Sequence, residues 1–160
     1  MAALKPGDAA PDFTVQAAQG GREFQFALAE ALKKGPVVLY FYPKSFTKIC
    51  TAEAHEFAEN IGNFEALGAS VIGLSADPVE VQREFSRMEC RDKFPVGADP
   101  SLSVIAAYDA KFEGRAMASR TSYVISPDGK IVSAYTDPEA AKHIENALAA
   151  VGKWREEHKR

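Results

Sequence analysis

At 160 residues, 46% of them hydrophobic and 26% charged, the chain can bury a core as one domain over 1–160 without disulfide staples or a structural metal. Its 22 acidic and 19 basic residues leave a net charge of −3, with lysines and arginines scattered among carboxylates, so neither nucleic acid nor a membrane surface is an expected partner. Pro6 and Gly7 interrupt the N-terminus before an apolar signal region could form, no apolar run reaches the roughly 20 residues of a spanning helix, and two widely separated cysteines make no secreted disulfide framework, so a cytoplasmic protein is expected.

Along the chain, residues 11–27 alternate weakly around Gly20-Gly21. This predicts an N-terminal hairpin anchored by Phe13, Val15, Phe24 and Phe26. Ala27 to Lys34 reads as a short helix ended by Gly35-Pro36. Pro36 to Tyr42 is continuously apolar and β-rich, as a central strand covered on both faces should be. A helix is predicted from about Thr47 to Leu67, with Phe57, Ile61 and Phe64 at helical spacing, followed by a second buried strand over 69–75. Strand, helix and strand of this kind form a parallel βαβ unit, whose site lies at the carboxyl ends of the strands. Cys50 sits at such an end.

Asp77 is predicted as the N-cap of the next helix, with Pro78 at its first position and Val81, Phe85 and Met88 on one face; that helix ends near Cys90. A short strand over 94–98 and a short helix over 100–108 follow. Residues 122–126 and 130–135 make a hairpin around Pro127-Asp128-Gly129. The final amphipathic helix is placed from Asp137-Pro138 to about Val151, and residues from about 153 to 160 read as a charged tail with Trp154 as its anchor. The alternation of strands and helices assigns the chain to the α/β class.

The chemistry concentrates on Cys50. Backbone N–H groups of a first helical turn lack intrahelical partners and favour a thiolate over a thiol. Such effects amount to about 0.3–1 kcal/mol, less than the ~1.36 kcal/mol of one pKa unit, so a cation has to assist. Thr47 fits the N-cap, and its hydroxyl could also contact a substrate oxygen. Pro43 ends the strand and could shield the thiol from one side. Each residue also has a plainer role. Free cysteine is among the most buried residue types, Thr47 could only cap, Pro43 could only terminate the strand, and Tyr42 is read as core packing.

Pro43-x-x-x-Thr47-x-x-Cys50 resembles the active-site motif of peroxiredoxins, thiol peroxidases with a thioredoxin-like fold. The resemblance covers most of the chain. Ala10-Pro11-Asp12-Phe13 is similar to the family's N-terminal segment, Cys50-Thr51-Ala52-Glu53 to its helix start, and Ser119-Arg120-Thr121-Ser122-Tyr123-Val124-Ile125 to its arginine-bearing strand. It implies a central mixed β-sheet flanked by helices, with the N-terminal hairpin beside it. It also implies that Cys50 is the peroxidatic cysteine, Thr47 the hydroxyl that contacts the peroxide, Pro43 the shield and Arg120 the cation. Arg120 is always charged and presents several donors, which suits both tasks. Glu53, one turn into the helix, would orient an arginine through a charge-assisted hydrogen bond.

The implied reaction is attack of a thiolate on the O–O bond of hydrogen peroxide or an organic hydroperoxide, leaving a sulfenic acid on Cys50. No metal, haem or flavin is implied. Thioredoxin, glutaredoxin or a small thiol would be the reductant, and the protein would be a monomer or a homodimer. The chain looks most like the bacterioferritin-comigratory or Q-type group. Many of that group carry a resolving cysteine five residues after the peroxidatic one, where this chain has His55, read here as a solvated helix histidine. Others carry it on the helix that ends at Cys90, at a position Ser86 would occupy. Either Cys90 resolves Cys50 in an intramolecular disulfide, or Cys90 is a bystander and an external thiol does so. Another class of function stays open: a peroxide sensor or redox relay that binds clients and turns over little peroxide would use the same Cys50. A disulfide oxidoreductase is disfavoured, because no CxxC is present.

Overall fold

A computed structural model describes residues 4–90 and 92–158. Residues 1–3 of the interrupted leader and residues 159–160 of the expected tail lie outside the described residues.

Seven strands form one mixed sheet. They are β1 (Thr14–Gln19), β2 (Arg22–Ala27), β3 (Val37–Phe41), β4 (Ser70–Ser75), β5 (Val96–Ala98), β6 (Thr121–Ile125) and β7 (Ile131–Thr136), in the spatial order β2-β1-β5-β4-β3-β6-β7. The five helices are α1 (Leu28–Leu32), α2 (Lys48–Ala66), α3 (Val79–Met88), α4 (Ser103–Ala107) and α5 (Ala141–Glu157). β3 lies inside the sheet between β4 and β6, parallel to β4 from Val37 opposite Ser70 and antiparallel to β6 from Val37 opposite Ile125.

The period of two along β3 divides the core. Val38, Tyr40 and Tyr42 point into one apolar cluster with Phe57, Ile61 and Phe64 of α2, Phe85 of α3, and Ile144 and Val151 of α5. Val37, Leu39 and Phe41 point into the other, with Leu28 and Leu32 of α1 and Val104 and Ile105 of α4. Burying side chains of this size contributes about 1.5–3 kcal/mol each, so β3, covered on both faces, is the stiff member that carries the following loop. Gly73 of β4 makes room beside it: a Cβ there would lie 2.7 Å from the Tyr40 ring.

Several sequence expectations are corrected. Phe24 is 39% exposed, because β2 is an edge strand of the sheet. Met88 is 52% exposed in the last turn of α3. The N-cap of α3 is Pro78, not Asp77, whose carboxylate instead accepts hydrogen bonds from the Ser45 N–H and the Ser75 hydroxyl. Residues 153–157, read as tail, continue α5, and Trp154 stacks on His158 at 4.6 Å rather than anchoring in the core. Among the described residues, no helix is long and apolar enough to cross a membrane.

Candidate active site

The ladder extends one residue beyond β3, where the Tyr42 N–H donates to Leu74 O at 3.1 Å. Pro43 then ends it, half-buried. The chain crosses from sheet to helix through residues 43–47 and starts α2 at Lys48, which places Cys50 in the first turn. Phe46 holds this crossing in the left-handed region at φ 68°, a conformation that costs a bulky residue about 1–3 kcal/mol and persists only where the surroundings enforce it.

A buried polar network supplies that enforcement. The hydroxyls of Tyr42 and Ser45 stand 2.8 Å apart, and both reach Gln82 Oε1, Ser45 at 2.6 Å and Tyr42 at 3.2 Å. Gln82 Nε2 donates in turn to Ser75 Oγ at 2.9 Å and Gly97 O at 2.7 Å. The Ser45 N–H donates to Asp77 Oδ2 at 2.8 Å, and the Phe46 ring meets Phe85 edge-on at 5.1 Å. The loop is thereby fixed to β4, β5 and α3 by side chains fully satisfied in their hydrogen bonds.

Cys50 is 2% exposed, and its sulfur faces Arg120. Arg120 directly precedes β6, and its three nitrogens go to three different groups. Nη2 donates to Cys50 Sγ at 3.2 Å, Nη1 to Glu53 Oε1 at 2.5 Å, and Nε to Pro138 O at 2.9 Å. Burial would lower the Arg120 pKa, but Glu53 and Cys50 outweigh it and leave the guanidinium above its ordinary value. Glu53 is wholly buried, and its Oε2 finds no hydrogen-bond partner. Burial pushes its carboxyl up to about 8, against the pull of Arg120. The site thus offers a nucleophilic sulfur, a charged donor fork beside it and a carboxyl that orients the fork.

Cys50, Arg120 and Glu53, expected from the sequence, are brought together. Thr47 occupies the N-cap position one turn before Cys50, but its hydroxyl does not cap the helix. It donates to Lys44 O at 2.9 Å, which leaves its exposed oxygen free to accept. Cys90 belongs to the same apolar cluster as Cys50, but it is fully buried, and both thiols are free. Burial, with a smaller push from Glu89, raises the Cys90 pKa. Ser86 is buried and accepts the Gly21 N–H at 3.1 Å. His55, read as solvated, joins Glu89 Oε1 through Nε2 at 2.7 Å, so α2 is tied to the end of α3 beside Cys90.

Sequence reasoning missed Ser45, Gln82 and His143. A tyrosine closing a buried strand signals a hydroxyl that needs a partner, which pointed toward the first two; nothing local marked His143. Among the described residues, no group of three or more His, Cys, Asp and Glu is placed to hold a metal ion.

Comparison with known proteins identifies the family and the fold. The model of the AhpC/TSA family matches residues 6–134. A Mycobacterium tuberculosis protein provisionally named a peroxiredoxin is 35% identical over 147 residues, 88% of this chain and 90% of the relative. Peroxiredoxin Bcp of Xanthomonas campestris is 31% identical over 121 residues, 72% of this chain and 75% of its own. The crystal structure of peroxidoxin BcpB from Mycobacterium tuberculosis superposes with a TM-score of 0.85 at 31% identity, covering 94% of this chain and 97% of the other.

Proposed function

The chain belongs to the AhpC/TSA family and is a peroxiredoxin, a thiol-dependent peroxidase, and on that footing we propose that Cys50 is its peroxidatic cysteine and Arg120 the cation that serves it. The observation that carries this reading is the contact of Arg120 Nη2 with Cys50 Sγ while Glu53 holds Nη1. A guanidinium there stabilises a thiolate and can donate to a peroxide oxygen as negative charge grows on it.

The Cys50 thiolate attacks the terminal oxygen of hydrogen peroxide or an organic hydroperoxide. The S–O bond forms as the O–O bond breaks, and the departing oxygen takes up a proton to leave as water or an alcohol. Cys50 becomes a sulfenic acid. Thr47, whose oxygen is exposed one turn before the sulfur, accepts from the peroxide hydroxyl, and Pro43 flanks the approach from the end of β3. Glu53 positions Arg120 and takes no proton from the substrate.

The sulfenic acid then condenses with a second thiol, releasing water and leaving a disulfide that a further thiol reduces. In this conformation Cys90 is sealed in the core with a raised pKa, which favours an external thiol for that step. For Cys90 to act, its sealed thiol has to be freed and brought to Cys50 with the Cα atoms within about 7 Å, which would unwind the first turn of α2 around Cys50. Thioredoxin, glutaredoxin and a small thiol are the candidate reductants, the cytoplasm the proposed compartment, and a monomer or homodimer the proposed assembly.

Peroxide consumption with an added thiol reductant, comparing the parent with Cys50→Ser, tests the reading. Loss of turnover in the variant supports it. Equal rates would overturn it, and a parent that is oxidised at Cys50 without turning over would favour the sensor instead.

A further inference from the structure

Beside Arg120 lies a buried pair that the reaction as described does not use. Ser122 stands two residues after Arg120 and so on the same face of β6, and His143 lies in the first turn of α5. The Ser122 hydroxyl meets His143 Nδ1, and His143 Nε2 lies 2.8 Å from Asp137 O. A carbonyl only accepts, so Nε2 carries the proton, and Nδ1 accepts from Ser122. Burial, with the nearby Arg120 charge, lowers the His143 pKa against the opposing pull of Asp137, which favours this neutral arrangement.

The segment that His143 holds is the one that Arg120 leans on. Asp137 donates its N–H to Arg120 O at 3.2 Å, and Pro138 O accepts from Arg120 Nε at 2.9 Å. The Asp137 carboxylate is in turn fixed by the Glu139 N–H at 2.8 Å and the Tyr135 hydroxyl at 3.1 Å, and the Tyr135 ring packs edge-on against His143 at 4.9 Å. A closed ring of hydrogen bonds therefore runs from Arg120 through Pro138 and Asp137 to His143, and back through Ser122 to the strand Arg120 enters.

Resting on the peroxidase reading above, we infer that His143 is a positioning residue for the reaction: through the Asp137–Pro138 backbone, it fixes the rotation of the Arg120 fork toward the Cys50 sulfur. The planar guanidinium makes this necessary. Glu53 holds one corner of the fork, and a second fixed point at Nε defines the plane in which Nη2 reaches Sγ. A buried histidine that merely satisfied its own polar atoms would need no link to the site.

The test is a mutant cycle with Arg120, read both as the rate of Cys50 oxidation by hydrogen peroxide and as the rate of Cys50 alkylation by iodoacetamide. His143→Leu should slow both by about tenfold, short of the ~100-fold that an ångström of misplacement can cost. His143→Gln, which keeps an N–H for Asp137, should recover most of the loss. In an Arg120→Lys background, His143→Leu should add almost nothing. The same loss in both backgrounds, or full rates in folded His143→Leu, would overturn the inference. If His143→Leu does not fold, Ser122→Ala takes its place, with an expected loss of about threefold for one hydrogen bond, again confined to the Arg120 background; unchanged rates overturn the inference there too. Alkylation needs no peroxidase activity, so a parent that consumes no peroxide would defeat the peroxidase reading and leave the alkylation cycle to decide the role of His143.

Discussion

Arg120 Nη2 donates to Cys50 Sγ at 3.2 Å across 70 residues of sequence, and the same guanidinium grips Glu53 and the backbone of Pro138. The helix terminus that presents Cys50 is worth about 0.3–1 kcal/mol to a thiolate, so the proposed peroxidatic role leans chiefly on this contact.

Replacing Arg120 tests that division. Arg120→Lys keeps the charge and loses the fork, and Arg120→Met loses both. Stopped-flow oxidation of Cys50 by hydrogen peroxide should slow by roughly 10²-fold in Arg120→Lys, as for loss of one preorganised donor, and by more in Arg120→Met. A lysine variant at the parental rate would show that the planar fork is not needed.

Glu53 should leave a mark on the pH dependence of stability. Its folded pKa of about 8 lies above the ordinary carboxyl value of 4.5, because burial opposes the charge. Over that interval the folded protein binds more protons than the unfolded one, so the contribution of Glu53 to stability is largest at low pH and is lost as pH rises from about 4.5 to about 8. Urea midpoints at pH 5, 6.5 and 8 should decline less steeply in Glu53→Gln than in the parent. Parallel declines would place the ionised carboxylate in the folded state throughout.

Gln82 should matter to both stability and rate. Gln82→Leu strips partners from Ser45, Tyr42 and Gly97 at once while keeping the volume. A loss of about 1–3 kcal/mol is expected in chemical denaturation, the cost of leaving buried polar groups unpaired. Because the network also fixes the crossing that carries Thr47, the variant should oxidise more slowly even under conditions where it is fully folded.

The fold was legible where burial has a period. The continuous apolar run of β3, the helical spacing of Phe57, Ile61 and Phe64, and the Pro-Asp-Gly turn all led to the observed elements. Errors arose where a neighbour decides the outcome. Asp77 has the character of an N-cap, but Ser45, 32 residues away, captures its carboxylate. Lys153, Arg155, Glu156 and Glu157 look like a solvated tail, yet they are good helix formers and prolong α5 past Gly152. At the site, the motif around Cys50 and the arginine segment could be read directly. The support of Arg120 by His143 could not, since it passes through backbone carbonyls that have no sequence signature.

Cys90 makes a separate prediction. Fully buried beside the His55–Glu89 pair, it should resist alkylation in the folded reduced protein while Cys50 reacts. Cys90→Ser should keep turnover with a small thiol as reductant. A loss of turnover with thioredoxin alone would assign the resolving step to Cys90 and require its buried thiol to be freed from the core.

Trapping of the first oxidised intermediate tests the central claim most directly. Reduced protein treated with one equivalent of hydrogen peroxide in the presence of dimedone, then digested and analysed by mass spectrometry, should carry the adduct on the peptide containing Cys50, and this adduct should form far more slowly in Arg120→Met. Peroxide consumed with Cys50 unmodified, or an adduct on Cys90 alone, would contradict the account.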